Sequence, residues 1–488
     1  MGTFIRKVKT ASGATAVQIV CKDRGKVIHL THIGSAHNIE RLELLMSLAR
    51  QQLRGSQQSL FPETDGSGSG ISIKQSSSTV LYNALESQYI RLGFGKLRDT
   101  QFCQLCLARM VEPASKLDSL RVLADLGIDG LKFSEDRLYR CLRRIIEKDY
   151  RSIIAKLCFS RASTQGSGIS LVLYDVTTLY FETQKEDDYR KPGLSKERRL
   201  EPQIIVGLLV DQSGFPLAVQ SFEGNKAETK TILPVMETFK ASHGLSDVTV
   251  VADAGMLSAG NLEALAAAGY YYIVGSRLNK IPYDIAEYQK TKELTDNQIV
   301  TKKTNLEGQR VIYQYQAKRA ALDLRNIEKQ IEKAKRIVSG TVTARKAKFL
   351  TVTTKNKHLN QVLIDKAYAL AGIKGYVTNL NIPDEKIITY YHQLWQVEAS
   401  FRMAKSDLRA RPIFHHKRDS IEAHLTIVFG ALAISRTIER CTDLSIKQFV
   451  KALRPIRSGI VTINGKDYSA KAEIPGEVKE ILNKLSPA

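Results

Sequence analysis

Residues 169–181 read ISLVLYDVTTLYF, an almost unbroken apolar run with one carboxylate, Asp175, near its middle. β-branched and aromatic residues dominate it, as in a strand buried on both faces. An acid in such a place is costly unless something pairs with it. Two more strand patterns follow, PQIIVGLLVD at 202–211 and PLAVQSFEG at 216–224, and then a helix pattern from about 226 to 240. The strand 248–252 runs into a second acid, Asp253, ahead of Ala254 and Gly255, which allow a tight turn. A helix at 261–268 and a strand at 270–275 come next. Three strands in series, then alternating helices and strands, predict an α/β fold: a mixed sheet with helices on its faces.

A third acid lies further along, in YYHQLWQVEASFRMAKSDL at 390–408. The pattern predicts one helix over 383–408, with Pro383 in its first turn and Asp384 and Glu385 at the favourable end of the dipole. At ~100° per residue, Trp395, Glu398, Arg402 and Lys405 fall within about 40° of Tyr391. Leu394, Val397, Phe401, Ala404 and Leu408 form a separate stripe suited to packing on a sheet. An amphipathic helix accounts for the stripe. It does not require a lone acid flanked by a tyrosine and two cations, so a functional face and a merely solvated one both stay open.

Outward from these segments, 488 residues exceed what one hydrophobic core sustains, and two to four structural units are expected. With 43% hydrophobic and 25% charged residues the chain reads as folded. Lys plus Arg number 72 against 50 acids, a net charge of +22 that favours a polyanionic partner, nucleic acid first. The longest apolar stretch, 427–435, is short of the ~18 residues of a membrane span, and MGTFIRKVKT has no signal-like apolar region, so a cytoplasmic protein without membrane contact is expected. The six cysteines lack the paired spacing of a zinc site or a disulfide framework; Cys103 and Cys106 form a CxxC inside an apolar helical run and read as buried thiols.

The organisation reads as a basic β-plus-helix unit at 1–55, a Gly- and Ser-rich linker at 56–79, a helical region at 80–165, the first part of a core at 166–277, an insertion at 278–370, the second part of the core at 371–440 and a C-terminal region at 441–488. Within 80–165, the segments 116–126 and 134–148 around a turn at 127–130 have a helix-turn-helix pattern, with Ser134 as N-cap and Arg137, Arg140 and Arg144 on one face as DNA-binding candidates. A basic face on an ordinary helical bundle fits equally well. The stretch 278–370 reads as mixed, with a charged helix at 317–337, and between Lys318 and Lys348 ten Lys or Arg against three acids mark a second surface of this kind. Asn225 and Glu228 have the spacing of a helix capping pair. His415 and His416 read as residues of an exposed loop.

At the three acids the chain resembles the DDE transposases of bacterial insertion sequences, in the branch marked by a Tyr, Arg, Glu, Lys signature. Tyr391, Glu398 and Lys405 match that spacing; position 394 is Leu where the signature has Arg, and Arg402 is the candidate to replace it. YDVTTLYFE around Asp175, KPGLSK from Lys191, FEGNKAE from Phe222, VVADAGM around Asp253, YVTN at 376–379 and RPIFHH at 411–416 also look like stretches of such enzymes. The resemblance spans roughly 170–430. It implies an RNase H-like mixed-sheet catalytic core with a β-rich insertion before the third acid, preceded by a DNA-binding region. Three carboxylates suit hard cations, and two Mg²⁺ ions, with Mn²⁺ as substitute, can activate an attacking hydroxyl and stabilise a leaving oxygen. The resemblance makes Asp175 the shared ligand, with Asp253 and Glu398 completing either side. Lys405 and Tyr391 are expected to hold the DNA backbone. What it implies is cleavage at the ends of a mobile element and attack by the freed 3′-hydroxyl, by a homodimer or higher oligomer on double-stranded DNA, in a prokaryotic nucleoid. A metal-dependent nuclease without strand transfer and a non-catalytic DNA-binding derivative are the alternatives. No Walker-type phosphate loop supports a helicase.

Overall fold

The computed structural model describes residues 2–10, 13–23, 25–36, 41–43, 45–46, 48–49, 71–128, 135–164, 171–183, 185–193, 201–245, 247–255, 258–276, 294–304, 306–342, 347–352 and 357–485. The chain divides into two compact units, Met1–Lys74 with Val461–Tyr468, and Gln75–Ile460 with Ser469–Ala488.

In the first unit, β1 (Gly2–Lys9), β2 (Thr15–Asp23) and β3 (Lys26–Ala36) form an antiparallel meander with β2 in the centre. Ala16, Val17 and Val20 of β2 are buried. Residues 41–49 are helical where described. The Gly- and Ser-rich segment at 51–70 lies outside the described residues. The expected linker does not extend to 79, however: β4 (Ile71–Ser77) occupies its end, and a helix starts at Thr79.

The second unit begins with five helices, α1 (Thr79–Arg91), α2 (Thr100–Val111), α3 (Asp118–Asp125), α4 (Glu135–Glu147) and α5 (Tyr150–Thr164). The sheet strands β5 (Leu171–Tyr180), β6 (Gln203–Val210) and β7 (Pro216–Glu223) follow, then α6 (Ile232–His243), β8 (Thr249–Ala252), α7 (Ala259–Ala267) and β9 (Tyr271–Ser276). After these come β10 (Ile299–Lys303), β11 (Arg310–Tyr315), α8 (Ala317–Val338), β12 (Leu350–Val352), β13 (Lys357–Leu359), α9 (Gln361–Ala369) and β14 (Ile373–Thr378). The chain continues through α10 (Asp384–His392), α11 (Trp395–Arg402), α12 (Arg418–Thr442), α13 (Ile446–Leu453), β15 (Ser458–Ile463), β16 (Lys466–Ala470) and α14 (Gly476–Leu485).

Eight strands make one mixed sheet in the order β10-β11-β14-β9-β8-β5-β6-β7. β5, β6 and β7 are antiparallel neighbours, whereas β5, β8 and β9 run parallel. The expected mixed sheet with helices on its faces is therefore present. β6 is buried at every position, as its continuous Ile, Val and Leu run requires. A single apolar core runs from α1 through the sheet to α14, so the helical region and the strands share it.

Several local expectations change. The segment that the resemblance makes a β-rich insertion contributes β10 and β11 to the main sheet, but its longest element is the charged helix read from the sequence at 317–337, the 22-residue α8. Ala320, Ile327, Ala334 and Ile337 recur at helical spacing there, and Ile327 and Ala334 form a small core of their own with Phe349 and Ile364. The helix expected at 226–240 starts later, at Ile232, after a short 3₁₀ turn, Glu228–Lys230, whose cap residue is Ala227 and makes no side-chain cap bond; the Asn225 and Glu228 capping pair is not formed. α12, 25 residues long, is long and apolar enough to cross a membrane by length and composition, unlike the shorter stretch read from the sequence. Its apolar residues face the protein: α12 packs against α2, α4, α5 and β7, and 89% of that window is buried.

Candidate active site

Asp175 sits mid-strand in β5, partly buried among neighbours that are fully buried. Leu171, Val172 and Leu173 of β5 pair in parallel register with Thr249, Val250 and Val251 of β8. Carried two residues on, that register sets Asp175 beside Asp253, the residue following β8. Adjacent strands lie roughly 4.8 Å apart, and residues in register on parallel strands project to the same face. Two acids 78 positions apart are thus set side by side at the C-terminal end of β8, in the middle of the sheet.

Asp253 is exposed, and its Oδ1 accepts hydrogen bonds from the backbone N–H of Ala254 at 2.8 Å and from the hydroxyl of Tyr391 at 3.1 Å. Tyr391 lies over the backbone of Gly275 in β9, where a Cβ would come within 2.6 Å of the hydroxyl. Glycine is required there for the tyrosine to reach the acid. Burial first, and then the Asp253 carboxylate, raise the Tyr391 hydroxyl above its ordinary range, so it acts as a donor. Lys374 of β14 stacks its ammonium 4.3 Å from the centre of the same ring. Burial lowers its pKa, assisted by Arg319, while Asp253 and Glu398 pull it back up, so Lys374 lies within electrostatic reach of both acids.

The third acid does not stand on one long helix. α10 ends at His392, and the amides of Gln393 and Leu394 bond back three residues, to Tyr390 and Tyr391. α11 starts at Trp395 and passes into a π-helical turn at Met403–Asp407, with Leu408 N bonding to Met403 O. The apolar stripe survives: Leu394, Val397, Phe401, Ala404 and Leu408 are all buried, and α11 packs on β5 and β6. The polar face does not survive intact. Trp395, Glu398 and Arg402 are exposed, but Tyr391, on the other side of the break, is buried and turned to Asp253 instead of outward. Lys405, in the wider π turn, is partly buried beside Phe401 and Ala404, near Thr177 and Leu179 of β5. Leu394, where the signature has Arg, faces the core at 7% exposure.

Among the described residues no three His, Cys, Asp or Glu side chains stand close enough together to hold a metal ion. The donor chemistry of the three acids fits a hard cation, since all offer carboxylate oxygen, and mutual repulsion opposes their approach when no cation is bound.

The arginines of α4 divide. Arg144 is taken up by Asp99, with Nε to Oδ2 at 2.8 Å and Nη2 to Oδ1 at 3.0 Å, and by Gln101 at 2.9 Å. Asp99 caps α2 by accepting from Phe102 N and also accepts from the Tyr150 hydroxyl. Arg144 therefore does not share an outward face with Arg137 and Arg140, which are exposed. Arg143 stands beside Arg140: Asp136, Tyr139, Arg140 and Arg143 line one surface recess. Leu138, Cys141, Leu142 and Ile145 point the opposite way into the core. The Ser134 cap and the second half of the 127–130 turn lie outside the described residues. His415 is not a loop residue in open solvent; it is partly buried with its ring 5.9 Å from that of His424, while the exposed His416 accepts from Arg190. Cys103 and Cys106 are free and buried, as the apolar context predicts.

Sequence reasoning missed Lys374 and Arg143. A cation inside a strand pattern, IKGYVT, is the same signal that singled out Asp175, and Arg143 completes the 136, 139, 140, 143 face that a choice of 137, 140 and 144 crossed.

No curated protein matches the chain. Among solved structures, a piggyBac transposase in a cryo-EM synaptic complex with hairpin DNA is similar over 72% of this chain and 69% of that one, at 10% identity and a TM-score of 0.41, too slight a likeness to argue from. The profile described as "Transposase DDE domain" matches residues 166–434, more than half of the sequence and the whole stretch from β5 into α12. The chain belongs to the DDE transposase family.

Proposed function

We propose that this transposase cuts DNA at the ends of a mobile element and joins the freed 3′-hydroxyl to target DNA, using Asp175, Asp253 and Glu398. The observation that carries the reading is the β5–β8 register, which, continued two residues, sets Asp175 beside Asp253 in the part of the chain that matches the family, with α11, which bears the third acid, packed on β5 and β6. Asp175, Asp253 and Glu398 would hold two Mg²⁺ ions, with Mn²⁺ as substitute, and Asp175 would be shared. Such ions lower the pKa of an attacking hydroxyl and stabilise a leaving oxygen. The chain's own contribution is positional. Tyr391 fixes one oxygen of Asp253 and leaves the other for a ligand. Lys374 offsets carboxylate repulsion between Asp253 and Glu398 before any cation arrives. The exposed Arg402 is placed to hold a DNA phosphate in place of the signature arginine, since a cation at the buried position 394 would cost desolvation.

The helical region 80–165 is the proposed reader of element ends, through Arg137, Arg140 and Arg143 of α4. Lys405 is assigned a supporting phosphate contact. Two protomers on one DNA pair are needed to join two ends, and the site of action is the prokaryotic nucleoid.

The test is incubation of the full chain with Mg²⁺ and DNA carrying the sequences that flank its gene. Nicks at the element ends and covalently joined products are expected. Nicks without joining would leave a metal-dependent nuclease; binding without either would leave a DNA-binding derivative.

A further inference from the structure

Away from the three acids, four cationic or ionisable side chains from four segments converge on one place in the second unit. Arg109 ends α2, Lys116 lies in the turn after it, His415 belongs to the 411–416 segment and His424 stands on α12. Arg109 and Lys116 are each only 8% exposed and His424 3%. The guanidinium Nη2 of Arg109 lies 3.1 Å from His424 Nδ1, and the Lys116 ammonium 3.4 Å from the same atom. His424 Nε2 donates to the backbone carbonyl of Ala410 at 3.1 Å, which makes Nδ1 the acceptor. One lone pair is thus offered to two cations that together carry eight N–H donors.

Among the described residues no carboxylate reaches either cation. The groups acting on Lys116 are Arg109 and the thiols of Cys106 and Cys141; those acting on Arg109 reduce to Cys106. Both thiols are held neutral by burial, which raises them above their usual range. His415 closes the rim, facing Lys116, Arg109 and His416, with the exposed Phe414 before it. Buried cations are ordinarily paired, and leaving two unpaired is strongly unfavourable. Arg144, Arg310 and Arg454, all of them less buried, each have an acid partner.

We propose that Arg109, Lys116, His415 and His424 form a seat for one phosphate-type oxyanion. A tetrahedral oxyanion has enough acceptors for the surplus donors that His424 Nδ1 cannot take, and the fork of Arg109 suits two of its oxygens. Without the anion, burial disfavours the charged forms: Arg109 is pushed down to about 10, His415 to about 4, and Lys116 well below its ordinary value. The anion reverses that trend, so binding draws protons onto Lys116 and His415. The source is either a DNA backbone phosphate or free inorganic phosphate. The seat does not depend on the three-acid reading.

The experiment is thermal melting and calorimetric titration of the full chain with sodium phosphate against sodium chloride at matched ionic strength and pH 7. One phosphate per chain is expected, raising Tm by about 5 °C at about a hundredfold excess over Kd. Lys116→Met should raise Tm in the absence of phosphate and cancel the phosphate response. His415→Gln, at the rim, should fold normally and weaken phosphate binding by about tenfold. Asp175→Asn should respond to phosphate as wild type does, which separates failure here from failure of the catalytic reading. A short duplex that displaces the bound phosphate, and that binds Lys116→Met less tightly, identifies the occupant as DNA; a duplex that binds without displacing it identifies free phosphate. Equal shifts with phosphate and chloride, or a wild-type response in either Lys116→Met or His415→Gln, would overturn the proposal.

Discussion

The acids around the end of β8 and the cations between α2 and α12 have opposite charges and opposite arrangements. Around the acids the chain supplies complements: a hydroxyl and an amide on Asp253, and an ammonium within reach of Asp253 and Glu398. Around Arg109 and Lys116 it supplies imidazoles and, among the described residues, no carboxylate. The acid site is also open, with Asp253 and Glu398 exposed, whereas Arg109 and Lys116 are buried. An exposed cluster of like charge is tolerated through solvent and weak complements; a buried one is not, and implies that something outside the chain completes it.

The largest effect expected on this comparison is at the acids. Asp175→Asn, Asp253→Asn and Glu398→Gln should each lower Mg²⁺-dependent cleavage by about a thousandfold or more, while end binding in gel shifts stays within a few-fold. Each swap is nearly isosteric, so circular dichroism should be unchanged. Wild-type cleavage by any one variant removes that acid from the site.

The two arginine faces of α4 carry the same contrast between sealed and open charge. Arg144→Met strands Asp99, 7% exposed, without its main partner, and should lower stability by about 3 kcal/mol in denaturant unfolding. Arg143→Ala should stay within about 0.5 kcal/mol of wild type but reduce the salt dependence of DNA binding by about one unit of slope. If the two variants exchange these behaviours, the assignment of faces is wrong.

A smaller change is expected from Tyr391→Phe, which removes a donor from Asp253 and nothing else. Cleavage should fall by about tenfold at limiting Mg²⁺ and recover as Mg²⁺ is raised, in keeping with the loss of one hydrogen bond to a charged group. A merely structural tyrosine would leave the Mg²⁺ dependence unaltered. Gly275→Ala should reproduce the defect by pushing the ring away, with a further stability cost of about 1 to 3 kcal/mol.

The smallest effect is in pH. His415 is lowered to about 4 in the fold, chiefly by burial and then by Lys116, so between about 6.5 and 4 the unfolded chain binds a proton that the folded chain refuses. Stability therefore falls as pH drops through that window, and His424, lowered in the same direction, adds to the fall. In melting curves His415→Gln should be less sensitive to acid than wild type. Identical slopes would show that the imidazole is not held in the cationic surroundings described.

Much of the catalytic core was legible in the chain. Strand runs such as 202–211 and the apolar stripe of α11 recur with periods fixed by backbone geometry, so β6 and the packing face of α11 could be read directly. The ends of elements were less legible. The break at Gln393 and Leu394 and the π turn at Met403–Asp407 depend on how α10 and α11 pack on different strands, and they turned Tyr391 inward and left Lys405 partly buried. The late start of α6 escaped for a related reason: local propensity is weak beside tertiary packing.

By itself the sequence determined which residue types stand where: apolar runs long enough for a buried sheet, three acids in order, and an excess of cations. Only the tertiary structure decided which of those charges meet. Asp175 and Asp253 are neighbours because β5 and β8 pair in parallel register across a crossover. Arg144 is withdrawn from the surface because Asp99 caps a helix beside it. Arg109, Lys116, His415 and His424 come together from two stretches about 300 residues apart because α12 runs through the middle of the helical region. Periodicity is a short-range property that a linear pattern records; the meeting of distant charges is set by strand register and helix packing, which the chain fixes only once its core has closed.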